Sequence, residues 1–264
     1  MSPFRNCIAK TKESDVADFS QVIGDHWNAY SAERDGALMF VSFDEDVASV
    51  DSIANLSLCA RIMLPIHQPN GAGGPDSPEA ETLWNMEDEL FELLQEHQVA
   101  CRYVARLTYG GLRELVFQVQ DWESFRPHVG MWMMQHQEYE MDVSEHEGWE
   151  FYNDYIRPRH EDRIFMMDNS VVMNLIEAGS DPEKEHSLEY VFEGDESGLE
   201  RIAISLRKRG YVDVGETDFS SGRIVLAKLM VLDPSLIVFE SLANSELAED
   251  AGVEFNGWGA SVVE

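Results

Sequence analysis

The chain has 264 residues, 44 % hydrophobic and 10 % aromatic, enough to bury two cores and too apolar for a disordered polyelectrolyte. Its 50 Asp and Glu against 19 Lys and Arg give a formal net charge of −31. Such a field repels phosphate backbones and anionic lipid and attracts basic surfaces, so it argues against direct nucleic-acid binding and for a protein partner rich in Lys and Arg.

The first residues, MSPFRNCIAKTKESD, are followed by no apolar stretch of signal-peptide length, and no window approaches a membrane span. Cys7, Cys59 and Cys101 are scattered without a CxxC pair. Sparse, odd cysteines read as reduced thiols, and a cytoplasmic protein is expected.

Residues 36–43 and 58–66 are β-branched or aromatic-rich runs and read as strands. HQPNGAGGPDSP, residues 67–78, reads as a flexible connector. A helix follows to about His97, with Ser77 as its cap, Pro78 at its first position, and Leu83, Trp84, Leu90, Phe91 and Leu94 on one face. Strands at 100–108 and 112–120 are joined at Gly110-Gly111, a pair suited to a tight hairpin. Asp121 caps a helical stretch through Met133 that Pro127 is expected to kink or split. One more strand is expected at 138–146, and then a short helix that Pro158 ends.

Residues 156–165, IRPRHEDRIF, form a charged joint, the expected boundary between domains 1–158 and 159–264. The second half opens with a helix at 162–178 whose expected inner face is Met167, Val171, Val172, Leu175 and Ile176. A strand at 186–193, a helix at 196–209, strands at 211–219 and 223–233, a helix at 234–251 and a strand near 259–263 complete the chain. The helix at 234–251 carries Leu236, Phe239, Leu242, Ala243 and Leu247. From residue 58 to 146, and again after the leading helix of the second half, the order is βαββαβ. That is the split βαβ pattern, so two α+β, ferredoxin-like domains are expected, each an antiparallel sheet with helices on one face.

Glu87 lies inside the apolar stripe of its helix, and Arg113 shares strand parity with Leu115, Phe117 and Val119. A buried carboxylate or guanidinium is costly unless paired, so the two are expected to meet as a structural ion pair, with Arg61 the other candidate partner. A pocket exposing Glu87 would instead make this a small-ligand or enzymatic centre. The eight histidines form no HxH, HExxH or similar spacing, so no metal and no cofactor are expected. Gly71 to Gly74 lacks GKS or GKT, and Asp76 and Glu79 set negative charge at the helix start, which opposes phosphate. No GxSxG is present and no catalytic residue is assigned. Two acidic sets, Asp181, Glu183, Glu185 and Glu193, Asp195, Glu196, bracket one strand and are the candidate docking residues for a basic partner.

The ending Gly252-Val253-Glu254-Phe255-Asn256-Gly257-Trp258-Gly259 resembles the G-x-Y-D-G-W ending of the regulator of ribonuclease activity B family, with Phe255 for the tyrosine and Asn256 for the aspartate. The similarity extends over about residues 160–260, through Gly179-Ser180-Asp181, His186 before Tyr190 and Phe192, and Leu206 before Gly210-Tyr211. It implies a small, acidic, ferredoxin-like domain and a partner such as the endoribonuclease RNase E, whose activity one member type lowers. About residues 20–158 are similar to domain of unknown function 695, through Trp84-x-x-Glu87-Asp88-Glu89-Leu90, Thr108-x-Gly110-Gly111-x-Arg113-Glu114 and Trp149-Glu150-x-Tyr152. That resemblance implies no activity. The expected function is therefore non-enzymatic regulatory binding to a basic protein surface such as an endoribonuclease, with no direct nucleic-acid or membrane contact. A self-association module, covering the free sheet face, is the remaining alternative.

Overall fold

A computed structural model describes residues 22–34, 37–48 and 55–263. Cys7 lies outside them. The chain divides into two units, Met1–Arg157 and Pro158–Glu264. Both mix helices with antiparallel sheet, an α+β composition.

The first unit contains β1 (Trp27–Arg34), β2 (Ala37–Asp44), β3 (Leu58–Pro65), α1 (Ser77–Glu96), β4 (Cys101–Tyr109), β5 (Leu112–Val119), α2 (Trp122–Gln135) and β6 (Asp142–Glu147). Its sheet runs β1-β2-β4-β5-β3-β6, every neighbour antiparallel. The β1 strand, which the sequence pattern does not announce, extends the sheet beyond β4 through a hairpin with β2. Strand alternation sends Ala60, Ile62, Leu64, Leu115, Phe117 and Val119 to one face, where Leu83, Leu90 and Leu94 of α1 and Phe125, Val129 and Trp132 of α2 bury them. The Trp132 indole donates to the Met86 carbonyl at 2.9 Å, which ties α2 to α1. Helix α2 runs unbroken through Pro127, where the missing amide costs one hydrogen bond without ending the helix. Asp76, not Ser77, caps α1 and accepts from the Glu79 amide at 3.2 Å.

The opposite face carries Tyr152–Ile156, a single π-helical turn. Tyr30 donates to the Ile156 carbonyl at 2.7 Å, and the Arg61 guanidinium stacks 3.8 Å above the Phe151 ring.

The glycine-rich segment before α1 is an ordered loop, not the flexible connector its composition suggests. The Asn70 side chain accepts from the amides of Ala72 and Gly74 and donates to the Pro75 carbonyl. The amides of Ile66 and Gly111 donate to the carbonyls of Gly111 and Gly73, clasping the loop to the β4–β5 turn. Gly73 has φ +79°, and a Cβ there would lie 2.8 Å from the Gly110 nitrogen. Composition reported the turn chemistry but not these partners, which lie in a distant hairpin.

The second unit contains α3 (His160–Glu177), β7 (His186–Glu193), α4 (Glu196–Lys208), β8 (Val212–Asp213), β9 (Arg223–Met230), α5 (Pro234–Ala251) and β10 (Glu254–Gly259). Its antiparallel sheet runs β10-β7-β9-β8. Leu188, Tyr190 and Phe192 of β7 and Ile224 and Leu226 of β9 meet Leu199, Ile202 and Leu206 of α4 in the core. Asp233 caps α5, accepting from the amides of Ser235 and Leu236, and Gly252 ends it at φ 71°. The last strand follows at once, nearer the helix than the expected 259–263. A bulge at Gly257, φ 83°, turns Trp258 back into the core.

Helix α5 exposes another face than apolar periodicity predicts, whereas α3 buries Val172 and Leu175 and packs Val171 on the core as expected. Helix α3 buries Asp162, Ile164, Asp168, Val172 and Leu175 while Met167 and Ile176 are exposed. Helix α5 buries Ile237, Glu240, Ser241, Asn244, Ala248 and Ala251 while Leu236 and Phe239 stay outside. In α5 the buried polar residues Glu240, Ser241 and Asn244 go with that rotation.

Candidate functional site

In the first unit Glu87 projects from α1 onto the sheet and accepts from Nη1 of Arg113 at 2.8 Å and from Nη1 of Arg106 at 3.0 Å. Glu87 is 3 % exposed and Arg113 4 %, so the pair is dry. Burial lowers the Arg113 pKa, and Glu87 opposes that shift. Arg106 enters the cluster through a β-bulge at Val104. Tyr103 pairs with Phe117 and Ala105 with Val116, so the alternation of β4 flips and Arg106 falls on the helix-covered face. Strict alternation places Arg106 on the wrong side, which is why the sequence pattern misses it.

Arg61 does not reach Glu87. It sits between Ala60 and Ile62, which face the helices, and so points to the opposite face. There it meets the fully buried Glu114, which also accepts from the Tyr109 hydroxyl at 3.1 Å. Arg102 on the same face bonds Asp44 at 2.6 Å, and a Cβ on Gly24 would collide with both. Every one of these charges is spent on another.

The depression at the β4–β5 turn is lined by Leu38, Pro69, Gly71, Gly73, Gly110 and Gly111, and neither Glu87 nor Arg113 reaches it. Cys59 and Cys101 are buried, and burial pushes their thiols up to about 11 and about 12, so they are inert as nucleophiles at neutral pH. Among the described residues no group of three or more His, Cys, Asp or Glu could hold a metal ion.

In the second unit the acids expected to dock a partner lie at the two ends of β7. Asp181 accepts from the Glu183 amide at 3.1 Å and lies 3.7 Å from Lys184. Asp195 caps α4, accepting from the Gly198 amide and the Ser197 hydroxyl at 2.8 Å each, and those bonds hold its carboxyl below the usual range. Glu193 lies 3.6 Å from Arg223, while Glu183, Glu185 and Glu196 are exposed. An eight-residue strand spans roughly 26 Å, so the two sets do not converge on one compact spot.

Two buried polar clusters went unnoticed in the sequence. Glu240 accepts from the Tyr211 hydroxyl at 2.7 Å and the Lys228 ammonium at 2.8 Å, and the Asn244 amide donates to the same hydroxyl at 2.7 Å. Burial opposes ionisation of Glu240, but the Lys228 and Tyr211 bonds outweigh it and keep the carboxyl below its ordinary range. Asp168 accepts from the Trp258 indole at 2.7 Å. Burial pushes its carboxyl up to about 6, with Ser241 and Trp258 holding it back. Polar residues within apolar helices were the available signal in both cases.

Residues 25–156 match the model of the family of unknown function DUF695, and residues 166–260 that of the regulator of ribonuclease activity B. The regulator of ribonuclease activity B of Pseudoalteromonas atlantica is 33 % identical over 110 residues, 38 % of this chain and 92 % of that protein. The chain belongs to both families. A second regulator of ribonuclease activity B, from Colwellia psychrerythraea, is 32 % identical over 36 % of this chain and 88 % of its own length. The matched region holds Asp168, Glu240 and Trp258, whereas the Glu87 cluster lies in the DUF695 region. A solved structure, an unknown protein from Galdieria sulphuraria, aligns over 78 % of this chain and 99 % of its own at 11 % identity and TM-score 0.20, too low to argue from. No helix among the described residues is long and apolar enough to cross a membrane.

Proposed function

We propose that this chain is an acidic, cytoplasmic regulatory protein that modulates an RNA-processing ribonuclease by direct contact with a basic segment of the enzyme. The observation that carries this reading is the 33 % identity to a regulator of ribonuclease activity B across 92 % of that protein's length. A net charge of −31 supports it, because a polyanionic surface competes for the basic segments that an RNA-processing enzyme offers to RNA. The buried Glu87–Arg113 pair, away from the surface depression, supports a fold-specifying role for the first unit in preference to a ligand pocket.

We read both units as ferredoxin-like domains, 1–158 and 159–264. The support is strand order: with each βαββαβ run numbered from its own first strand, β6-β3-β5-β4 and β10-β7-β9-β8 follow the same sequence. Isothermal titration of the purified chain into an endoribonuclease from the same cell tests the functional reading. Affinity is expected to fall as salt rises. An interaction indifferent to salt, or tight binding of bare RNA by the chain itself at cellular ionic strength, refutes the acidic-surface mechanism.

A further inference from the structure

Helix α5 is built against its own stability on one side. Phe239 is 70 % exposed and Leu236 51 %, with Leu242 and Ala243 half-buried beside them. At 3.6 residues per turn Phe239 and Leu242 face away from Ser241 and Asn244, with Leu236 and Ala243 on the flank nearer Glu240. Glu246, Glu249 and Asp250 continue the same side to the C-terminal end, and all three are exposed. Acids there face the negative end of the helix dipole, and the last turn has no basic residue to offset them. Helix α5 contains no Lys or Arg at all, and its remaining acid, Glu240, turns inward to Lys228. Folding accounts for neither the exposed phenylalanine nor the misplaced acids, yet both fall on one stripe.

We propose that this stripe docks a basic amphipathic helix of the protein partner. The proposal rests on the regulatory reading above and names the partner's chemistry. Leu236, Phe239, Leu242 and Ala243 receive its apolar anchors at helical spacing, and Glu246, Glu249 and Asp250 receive its Lys and Arg. A second copy of the chain is the poorer occupant, because it brings the same charge of −31 and no base on its own α5. A polyanion is repelled outright.

The probe is a fluorescein-labelled synthetic peptide of Leu and Lys at helical spacing, titrated with the full chain by fluorescence anisotropy at physiological ionic strength. The double change Leu236→Ser/Phe239→Ser, at exposed positions that leave the fold intact, is expected to weaken binding about tenfold or more. Glu246→Gln/Glu249→Gln/Asp250→Asn is expected to weaken binding and flatten its salt dependence. Asp181→Asn/Glu183→Gln/Glu185→Gln is expected to leave it within about twofold. A shuffled peptide of equal charge is expected to bind about tenfold more weakly. Wild-type affinity in the Leu236→Ser/Phe239→Ser protein overturns the proposal. So does a dimer, seen by sedimentation, that this double change dissociates. Ribonuclease assays with the same proteins separate the two readings. Regulation that survives the double change rejects the α5 stripe and keeps the regulatory function. Peptide binding through the stripe without any effect on ribonuclease does the reverse.

Discussion

Replacing Asp168 by Asn should stabilise the protein at neutral pH, although the change disturbs a 2.7 Å bond to Trp258. The carboxylate is 4 % exposed, and burial pushes it up to about 6 from the ordinary 3.8. A raised carboxyl favours the native state while it is protonated. Below about pH 4 native and unfolded chains both carry the proton, and the contribution is full. Between about pH 4 and pH 6 the unfolded chain loses its proton first, and stability falls; above pH 6 the loss is complete and constant. A displacement of about two units corresponds to about 3 kcal/mol at 1.36 kcal/mol per unit. Asparagine cannot ionise, still accepts from the indole through Oδ1, and offers its amide to Ser241. The stability difference between Asp168→Asn and wild type should therefore grow by about 2–3 kcal/mol from pH 4 to pH 6.5 and then level off. Taking the difference cancels the other titrating groups. Trp258 is the one tryptophan after residue 149, so fluorotryptophan labelling lets 19F NMR follow the second unit during urea unfolding at each pH. A difference that stays constant across this range refutes the raised carboxyl.

Glu87→Gln should cost about 3–5 kcal/mol by removing the carboxylate that faces the buried Arg113, and Arg113→Met in the same background should recover part of it; a double-mutant cycle from chemical unfolding measures the coupling. Gly73→Ala should destabilise by about 1–3 kcal/mol through its left-handed backbone and the close Gly110 nitrogen, read as a lowered melting temperature. Tyr211→Phe should cost about 1–3 kcal/mol, because Glu240 and Asn244 lose one shared hydroxyl; urea midpoints at unchanged m-value would check it.

The element order was legible because turns and caps announce themselves locally. Asp121 accepts from the third amide of the helix it precedes, and Gly110-Gly111 takes positive φ at both positions. The meeting of Glu87 and Arg113 was legible too, since helix period and strand parity each aimed one charge inward. Parity fails wherever a residue is inserted, and Val104 hid Arg106 for that reason. Hydrophobic periodicity also fails when a helix buries polar groups. In α5 Glu240, Ser241 and Asn244 are buried while Phe239 emerges, and no reading that ranks residues by apolarity alone can foresee it. The β1 strand was silent because Trp27–Arg34 mixes small, polar and aromatic residues without alternation, and its pairing with β2 supplies what its own pattern lacks.

The inserted Val104 makes the central strand intolerant of slippage. Sliding β4 by one position against both β2 and β5 would carry Arg106 off Glu87 on one face and Arg102 off Asp44 on the other, stranding charge in both layers at once. A buried apolar face already resists such a slip; here the slip is penalised on the second face as well, so the ion pairs act as a built-in proofreader of strand alignment.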